Sequence, residues 1–218
     1  MYELRLPHHV RFCEVAGQRI FLDLKADRYF SLPPPADAAF SAILGGRASA
    51  PSDIAPLLSA GLLIEAPAGR PLKPTSHPPP EDSFMEDGEI GRGLSPLLLA
   101  EVLFLVLRAL HGVRRKRLHG LLAAPTAPRG SCQDEGLERR DQAVAQFLRA
   151  RRAVPVAPNC LYDSLALRGF LARRSIPVDL VIGTKLHPFA AHCWLQDRTT
   201  VLNDSLAAAR GFTPILVT

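Results

Sequence analysis

Cysteine is scarce in this sequence, and no two of its four cysteines lie close together along the chain. Cys13, Cys132, Cys160 and Cys193 are widely spaced, with no CxxC among them. This spacing argues against a zinc ribbon and against a disulfide framework. We expect no metal and no cofactor. Since no signal peptide is recognisable before Cys13, we also expect a cytoplasmic protein with reduced thiols.

Aromatic residues are scarce as well, at 6%, and they are not interleaved with basic residues. The net charge of +5 suits an anionic partner, but a nucleic-acid platform needs basic and aromatic side chains together. The apolar stretch Leu97–Leu110 is interrupted by Glu101 and Arg108, and it falls short of the roughly 20 apolar residues that a membrane crossing needs. We therefore expect a core helix there, no nucleic-acid binding and no membrane insertion.

Proline, in contrast, is abundant, and its distribution divides the chain. Twenty prolines occur among 218 residues. Between Ala66 and Gly93 they combine with glycine, serine and acidic residues, a composition that cannot nucleate a core. The overall hydrophobic content of 47% is that of a globular protein. The sequence predicts an α+β protein with one domain at residues 1–66, a linker at 67–93 and a second domain at 94–218.

Short β-type runs followed by helical segments make up the first 66 residues. Connections of hairpin size separate the runs, and Pro33–Pro35 stop the sheet. The expected fold is a three-stranded meander with a pair of helices. The predicted strands are 10–15, 19–24 and 28–32, the predicted helices are 36–44 and 53–59, and residues 62–64 are predicted to return as a wing strand.

The run Leu22–Leu24 followed by Asp27–Leu32 resembles the PqqD-like element that recognises leader peptides of ribosomally made natural products. The resemblance implies a small winged-helix domain that captures a leader as an added strand. A winged-helix DNA binder remains the alternative, although eight basic against seven acidic residues in 1–80 give little attraction for phosphate. The implied leader-binding residues are Tyr29, Phe30, Ser31 and Leu32 along the strand edge, with Leu57 and Leu58 of the second helix.

A basic run, Arg114–Arg117, follows the apolar helix. Cations suit the C-terminal turn of a helix because of the helix dipole, so a solvated helix end is the simpler interpretation. The alternative is a contact surface for an acidic peptide or partner. Residues 137–150 are predicted to form a further amphipathic helix.

Cys160 is the best nucleophile candidate among the four cysteines. Asn159 is a good N-cap, and apolar residues recur at helical spacing from Leu161 onwards. Cys160 should therefore lie in the first turn of a helix, where backbone amides and the helix dipole favour the thiolate. The alternative is that Cys160 is a small buried core residue.

Two strands follow this helix. Strand 178–182 is predicted to end at Gly183. Strand 189–196 alternates between two faces, with His192 on one face and Cys193 on the apolar other. A pair made of His192 and Cys193, as nucleophile and base or as metal ligands, is therefore not expected.

A returning strand at 200–204 is predicted to bring an aspartate to this histidine. A three-residue turn centred on Arg198 would place His192 directly opposite Asp204, although a slip of one residue would change the pairing. Opposed side chains are close enough for the carboxylate to fix the imidazole tautomer. The other imidazole nitrogen is then left for Cys160. Each residue also has a structural explanation, the histidine as a satisfied strand residue and the aspartate as a turn former.

The second domain resembles the transglutaminase-like, papain-like cysteine peptidase of lasso-peptide maturation. With the PqqD-like element in the same chain, the whole sequence resembles the fused B proteins, which are leader peptidases. The resemblance implies a triad of Cys160, His192 and Asp204 and an ATP-dependent lasso cyclase, the C protein, as partner. The residues that carry it are Asn159-Cys160, Ser164–Leu167, Phe170-Leu171, Arg173-Arg174, Ile182-Gly183, Pro188-Phe189, Ala191–Trp194 and Asn203-Asp204.

The implied activity is hydrolysis of the bond between leader and core in a ribosomal precursor peptide, which frees the core amine for macrolactam closure. The family has alanine at the position of Cys193 and Val-Glu at that of Leu195-Gln196. Neither departure touches the triad, but the second puts in doubt a role for an acid at position 196. Two alternatives stay open: a non-catalytic leader-binding adaptor, and a transglutaminase-type acyl transferase.

Overall fold

The computed structural model describes residues 3–47, 50–66, 72–87, 93–115, 122 and 134–218. They belong to two units, Met1–Ser76 and His77–Thr218, and together form a mixed α+β fold, as expected. The predicted boundaries at 66 and 93 stay predictions. Cys132, Lys116-Arg117 of the basic run, and residues 67–71 and 88–92 of the predicted linker lie outside the described residues.

The first unit contains the expected three-stranded antiparallel meander. Its hairpin-sized turns place consecutive strands side by side, in the order β2-β3-β4. Ala16 and Gly17 form the first turn with positive φ angles of 48° and 78°, the conformation that a tight hairpin needs. The elements of this unit are β1 (Glu3–Arg5), β2 (Val10–Val15), β3 (Gln18–Asp23), β4 (Arg28–Phe30), α1 (Pro34–Leu44), α2 (Pro51–Ser59) and β5 (Ile64–Ala66).

The predicted wing strand is displaced. Strand β5 pairs with β1 in a separate two-stranded sheet, and β1 was not predicted. Leu62 and Leu63 are instead buried in the core beside Phe12, Phe21 and Phe40. Both helices begin earlier than predicted because each has a proline in its first turn, where a missing amide hydrogen costs nothing.

The second unit is built on a five-stranded sheet in the order β10-β7-β8-β9-β6. Its elements are β6 (Asp82–Ser83), α3 (Phe84–Asp87), α4 (Pro96–Arg114), α5 (Asp134–Arg152), α6 (Cys160–Ala172), β7 (Asp179–Lys185), β8 (Ala190–Asp197), β9 (Thr200–Val201), α7 (Leu206–Arg210) and β10 (Thr213–Val217). Helix α6 packs against α4, α5, β7 and β8. Most of its residues are buried, so the position of its first turn is firmly set.

Helix α4 is longer than the predicted stretch Leu97–Leu110, and only one of its faces is buried. Val102 and Val106 are fully buried, whereas Leu97, Phe104 and Leu107 are 83%, 54% and 45% exposed. Within the part of the chain that the structure describes, α4 alone is long and apolar enough to cross a membrane, a test that soluble core helices also pass. The absence of membrane insertion therefore stays a prediction.

The described part of the predicted linker is attached to folded structure. The amide of Thr75 donates to the Phe12 carbonyl at 2.9 Å within the first unit. Further along, β6 pairs with β9 in the sheet of the second unit. We call residues 77–87 the strap. Its prolines do not prevent these contacts, because short strand pairing at a sheet edge tolerates neighbouring proline.

Candidate active site

Cys160 occupies the first turn of α6, as predicted. The Asn159 side chain caps the helix by accepting from the amides of Leu161 and Tyr162 at 3.1 and 3.3 Å. Asp163 closes the cap by accepting from the Asn159 amide at 3.2 Å. The thiol lies at an intermediate exposure, so it is both held in place and open to a reactant.

His192 lies on β8 with its ring in contact with two aromatic side chains. Its centroid is 6.1 Å from that of Trp194 and 5.1 Å from that of Phe212. The opposite residue on β7 is Gly183. The prediction that Gly183 ends this strand is wrong: β7 runs on to Lys185. The glycine serves close packing, since a Cβ there would lie 2.8 Å from the Phe212 Cβ and 2.9 Å from the Trp194 ring.

The hairpin after β8 has a different register from the predicted one. Its turn has two residues, with Gln196 opposite Val201 and Asp197 opposite Thr200. Arg198 has a φ of 55°, in keeping with a two-residue hairpin turn. The predicted strand 200–204 also stops at Val201. The direct cross-strand pairing of His192 with Asp204 is therefore wrong.

Asp204 nevertheless contacts His192 through the bend that follows β9. The Asn203 side chain accepts from the Leu195 amide at 2.7 Å, which holds this bend against β8. The Asp204 Oδ2 atom then lies in hydrogen-bonding contact with His192 Nε2. The Ser205 amide donates to Asp204 Oδ1 at 2.7 Å. Both carboxylate oxygens are thus engaged, and the other nitrogen of the ring, Nδ1, is left for the thiol.

The three side chains form an electrostatically coupled chain. The hydrogen bond with His192 lowers the pKa of the Cys160 thiol against the opposing effect of partial burial, and the amides of Cys193 and Leu161 lower it further. The hydrogen bond with Asp204, followed by that with Cys160, raises the pKa of His192 to about 9. At neutral pH both shifts favour a thiolate beside an imidazolium, the reactive form of cysteine.

Cys193 differs from Cys160 in every property that governs reactivity. It is 3% exposed, and burial raises the pKa of its thiol. A hydrogen bond from its backbone amide, however, helps to lower the pKa of the Cys160 thiol. Cys193 therefore contributes to this site through the main chain.

A known protein family covers the region that contains these residues. Residues 102–217 match a domain described as the transglutaminase-like superfamily. The chain belongs to this superfamily. Superfamily members include cysteine peptidases and acyltransferases, two reaction types that both use an activated nucleophile. No curated protein and no solved structure matches the chain.

Two polar residues of the superfamily domain, the buried Ser164 and the partly buried Asn203, join the elements that carry the site. The Asn203 Nδ2 group donates to Ser164 Oγ at 2.9 Å, and Ser164 donates to the Cys193 carbonyl at 3.1 Å. Ser164 lies one turn beyond Cys160 on α6, so this network connects α6, β8 and the bend. In the sequence, Ser164 and Asn203 belong to the motifs that carry the resemblance, and no local pattern indicates their role.

The strap supplies a contact that no sequence pattern indicated. Ser83 donates to the Asp204 carbonyl at 2.6 Å, although it precedes the matched domain by 19 residues, since the match begins at 102. The only available signal was a serine within a proline-rich segment, which predicts a linker.

The residues expected to bind a leader lie in the first unit. Strand β4 is one of the two outer strands of the meander, and Tyr29 and Phe30 in it are half-buried. The strand ends at Phe30 and not at Leu32 as predicted, so the exposed Ser31 lies beyond it. Leu32 and Leu58 are partly buried against the core. Leu57 is 2% exposed and belongs to that core, so it supports the helix instead of offering surface.

Among the described residues of the superfamily domain, the side chains show no arrangement suited to a metal ion. Within the described ranges, no group of three or more histidine, cysteine, aspartate or glutamate side chains could hold one.

Proposed function

We propose that the protein is a cysteine peptidase that removes the leader from a ribosomal precursor peptide of the lasso type. The single observation that carries the proposal is the contact chain from the Cys160 thiol through His192 to Asp204. Membership of a superfamily that contains cysteine peptidases supports it. The specific substrate rests on the resemblance to fused B proteins.

The first half of the reaction is acyl transfer to the thiol. The Cys160 thiolate attacks the carbonyl carbon of the last leader residue, and the tetrahedral oxyanion accepts a hydrogen bond from the Cys160 amide at the helix start. That amide takes no part in the Asn159 cap, which uses the next two. His192 then protonates the departing core amine, the carbon–nitrogen bond breaks, and a thioester joins the leader to Cys160.

The second half is hydrolysis of this thioester. His192, now neutral, takes a proton from water as the water oxygen attacks the acyl carbon. The carbon–sulfur bond breaks, which releases the leader as a carboxylic acid and restores the thiolate beside the imidazolium. Asp204 stays ionised throughout, holding the ring in one orientation and stabilising its positive charge.

In this proposal the first unit supplies substrate recognition. A leader adds as a strand to the outer edge of β4, where main-chain hydrogen bonds provide affinity. A tethered leader raises the effective concentration of the cleavage site at the thiol. The freed core amine is then the substrate of an ATP-dependent cyclase, the proposed partner, and the proposed compartment is the cytoplasm.

The test is cleavage of a synthetic precursor peptide by the purified full-length protein. Cys160→Ala should abolish cleavage while leader binding, measured by fluorescence anisotropy, is retained. Cys13→Ala is the matched control, since this buried thiol lies in the first unit, and it should cleave normally. Normal cleavage by Cys160→Ala would overturn the assignment.

Mass spectrometry of the products separates the peptidase from its alternatives. A free leader acid and a free linear core support the proposal. A leader joined to an added amine, with no free acid, would indicate acyl transfer. Tight leader binding without any product would indicate an adaptor.

A further inference from the structure

The strap is held against the rest of the second unit by hydrogen bonds that run from Pro78 to Glu86. At its start, the Pro78 carbonyl accepts from Gln196 Nε2 at 2.8 Å, and the Pro80 carbonyl accepts from Arg210 Nε at 2.9 Å. The amide of Glu81 donates to the Thr199 carbonyl at 2.8 Å. The parallel pairing of β6 with β9 follows. Strap contacts therefore reach the turn and the strand that lead into the Asp204 bend.

Ser83 is the point at which the strap touches the site itself. Its hydroxyl donates to the Asp204 carbonyl at 2.6 Å and accepts from the Met85 amide at 3.1 Å. Only 1% of the residue is exposed, so both bonds are shielded from competing water. A buried hydroxyl with donor and acceptor both used holds its partners in one arrangement.

A second strap contact lies just beyond Asp204. The Glu86 side chain accepts from the Leu206 amide at 3.0 Å, at the start of α7. The backbone on either side of Ser205 is therefore held by strap residues. The Ser205 amide in turn donates to Asp204 Oδ1, so the strap fixes the backbone that orients the carboxylate.

We propose that Ser83 is a positioning residue of the active site, which holds the Asp204 backbone so that its carboxylate meets His192. The effect of Ser83 on catalysis rests on the proposed function, whereas its effect on the ionisation of Cys160 does not. The thiol needs His192 and Asp204 to ionise at neutral pH, whatever substrate the protein takes. Ser83 therefore acts on Cys160 through two intervening residues, and its loss is visible without a substrate.

The test is the pH dependence of Cys160 alkylation by iodoacetamide, followed by peptide mass mapping of the full-length protein. Ser83→Ala should move the midpoint of the profile to higher pH and slow alkylation at pH 7 about three- to tenfold, the equivalent of one buried hydrogen bond. Asp204→Asn should shift the profile in the same direction. Arg210→Met is the matched control, because it removes a strap contact at Pro80 and leaves Ser83 in place, and it should keep the wild-type profile.

Two results would overturn the inference: a wild-type profile for Ser83→Ala, or equal shifts for Ser83→Ala and Arg210→Met. If Ser83→Ala does not fold, Ser83→Thr and Ser83→Val carry the test, since they match in size and differ in the hydroxyl. Threonine should keep the wild-type midpoint and valine should raise it, whereas equal midpoints would contradict the role of the hydroxyl. If Ser83→Ala shifts the alkylation profile but the wild-type protein cleaves no precursor peptide, the proposed substrate is wrong and the role of Ser83 stands.

Discussion

Gly183 lies directly opposite His192 on neighbouring antiparallel strands, and its missing side chain leaves space for the rings beside the imidazole. A Cβ at this position would lie 2.8 Å from the Phe212 Cβ and 2.9 Å from the Trp194 ring. Both of these aromatic rings contact the His192 ring. The orientation of the imidazole therefore depends on the smallest residue of β7.

Gly183→Ala should destabilise the protein by about 1–3 kcal/mol, the usual range for overpacking a core. It should also slow Cys160 alkylation, because displaced rings disturb the imidazole. Chemical denaturation and the alkylation rate measure the two effects. Gly136→Ala is the control: this helical glycine has no atom within 4 Å of an added Cβ, so alanine should be neutral or slightly stabilising. Equal behaviour of the two variants would contradict the packing argument.

The pH dependence of cleavage should be bell-shaped. Activity is lost on the acid side as the Cys160 thiolate is protonated, and this limb should lie below the ordinary range for a cysteine because the pKa of Cys160 is lowered. Activity is lost on the alkaline side as His192 gives up its proton, near its raised pKa of about 9. The measurement is kcat/KM against pH. A single limb that rises through the pKa of a free cysteine, about 8.5, would argue against the ion pair.

In Asp204→Asn, the alkaline limb of the pH profile should move to lower pH, so that the protein is active over a narrower pH range. An amide carries no charge to stabilise the imidazolium, so the pKa of His192 falls and the thiolate loses its counter-ion. Each unit by which a pKa moves is a tenfold change in the ionisation equilibrium, and we expect cleavage at neutral pH to fall by at least about tenfold. An NMR titration of the histidine ring follows the pKa directly. An unchanged titration would show that the contact between the two side chains is not formed in solution.

Alkylation at neutral pH should discriminate between the described cysteines. Cys160 should react first, because its pKa is lowered and it is partly exposed. Cys13 and Cys193 are 1% and 3% exposed and should stay unmodified until the protein unfolds. Peptide mapping after brief treatment with iodoacetamide measures this. Early modification of Cys193 would contradict its buried position.

Gln196→Glu tests the anchor at the beginning of the strap. The Gln196 Nε2 group donates to the carbonyls of Pro78 and Arg198 at 2.8 and 2.7 Å, and a carboxylate cannot donate to either. We expect a loss of about 1–3 kcal/mol in the free energy of unfolding, the cost of unsatisfied buried polar groups. The exposed Gln142→Glu on α5 is the control and should change stability by less than about 0.5 kcal/mol. An equal, small effect of both changes would mean that the strap is not held by this side chain.

Helix capping and strand alternation, which involve only neighbouring residues, predicted part of the site correctly. The N-cap at Asn159 placed Cys160 at the start of a helix, and alternation placed His192 and Cys193 on opposite faces of one strand. Both statements need only a short window of sequence, and the helix position is confirmed by the cap hydrogen bonds. The superfamily and the mixed α+β class are confirmed as well. The PqqD-like character of the first unit stays a prediction.

The remaining differences arise where tertiary contacts override local preference. The sequence does not distinguish a turn of two residues from one of three, and the choice shifts every partner along the hairpin. Gly183 looks like a strand breaker until Trp194 and Phe212 are known to need its space. Asp204 reaches His192 through a bend held by Asn203, a contact that no periodicity encodes.

The strap also limits how the chain can be rearranged. Segments between folded units usually accept insertions and deletions, and a proline-rich composition suggests the same freedom. Here the insertion or deletion of one residue between Pro78 and Ser83 would move the Ser83 hydroxyl out of reach of the Asp204 carbonyl, since consecutive Cα atoms are about 3.8 Å apart. Chimeras that exchange the first unit for another recognition module should therefore be spliced upstream of His77.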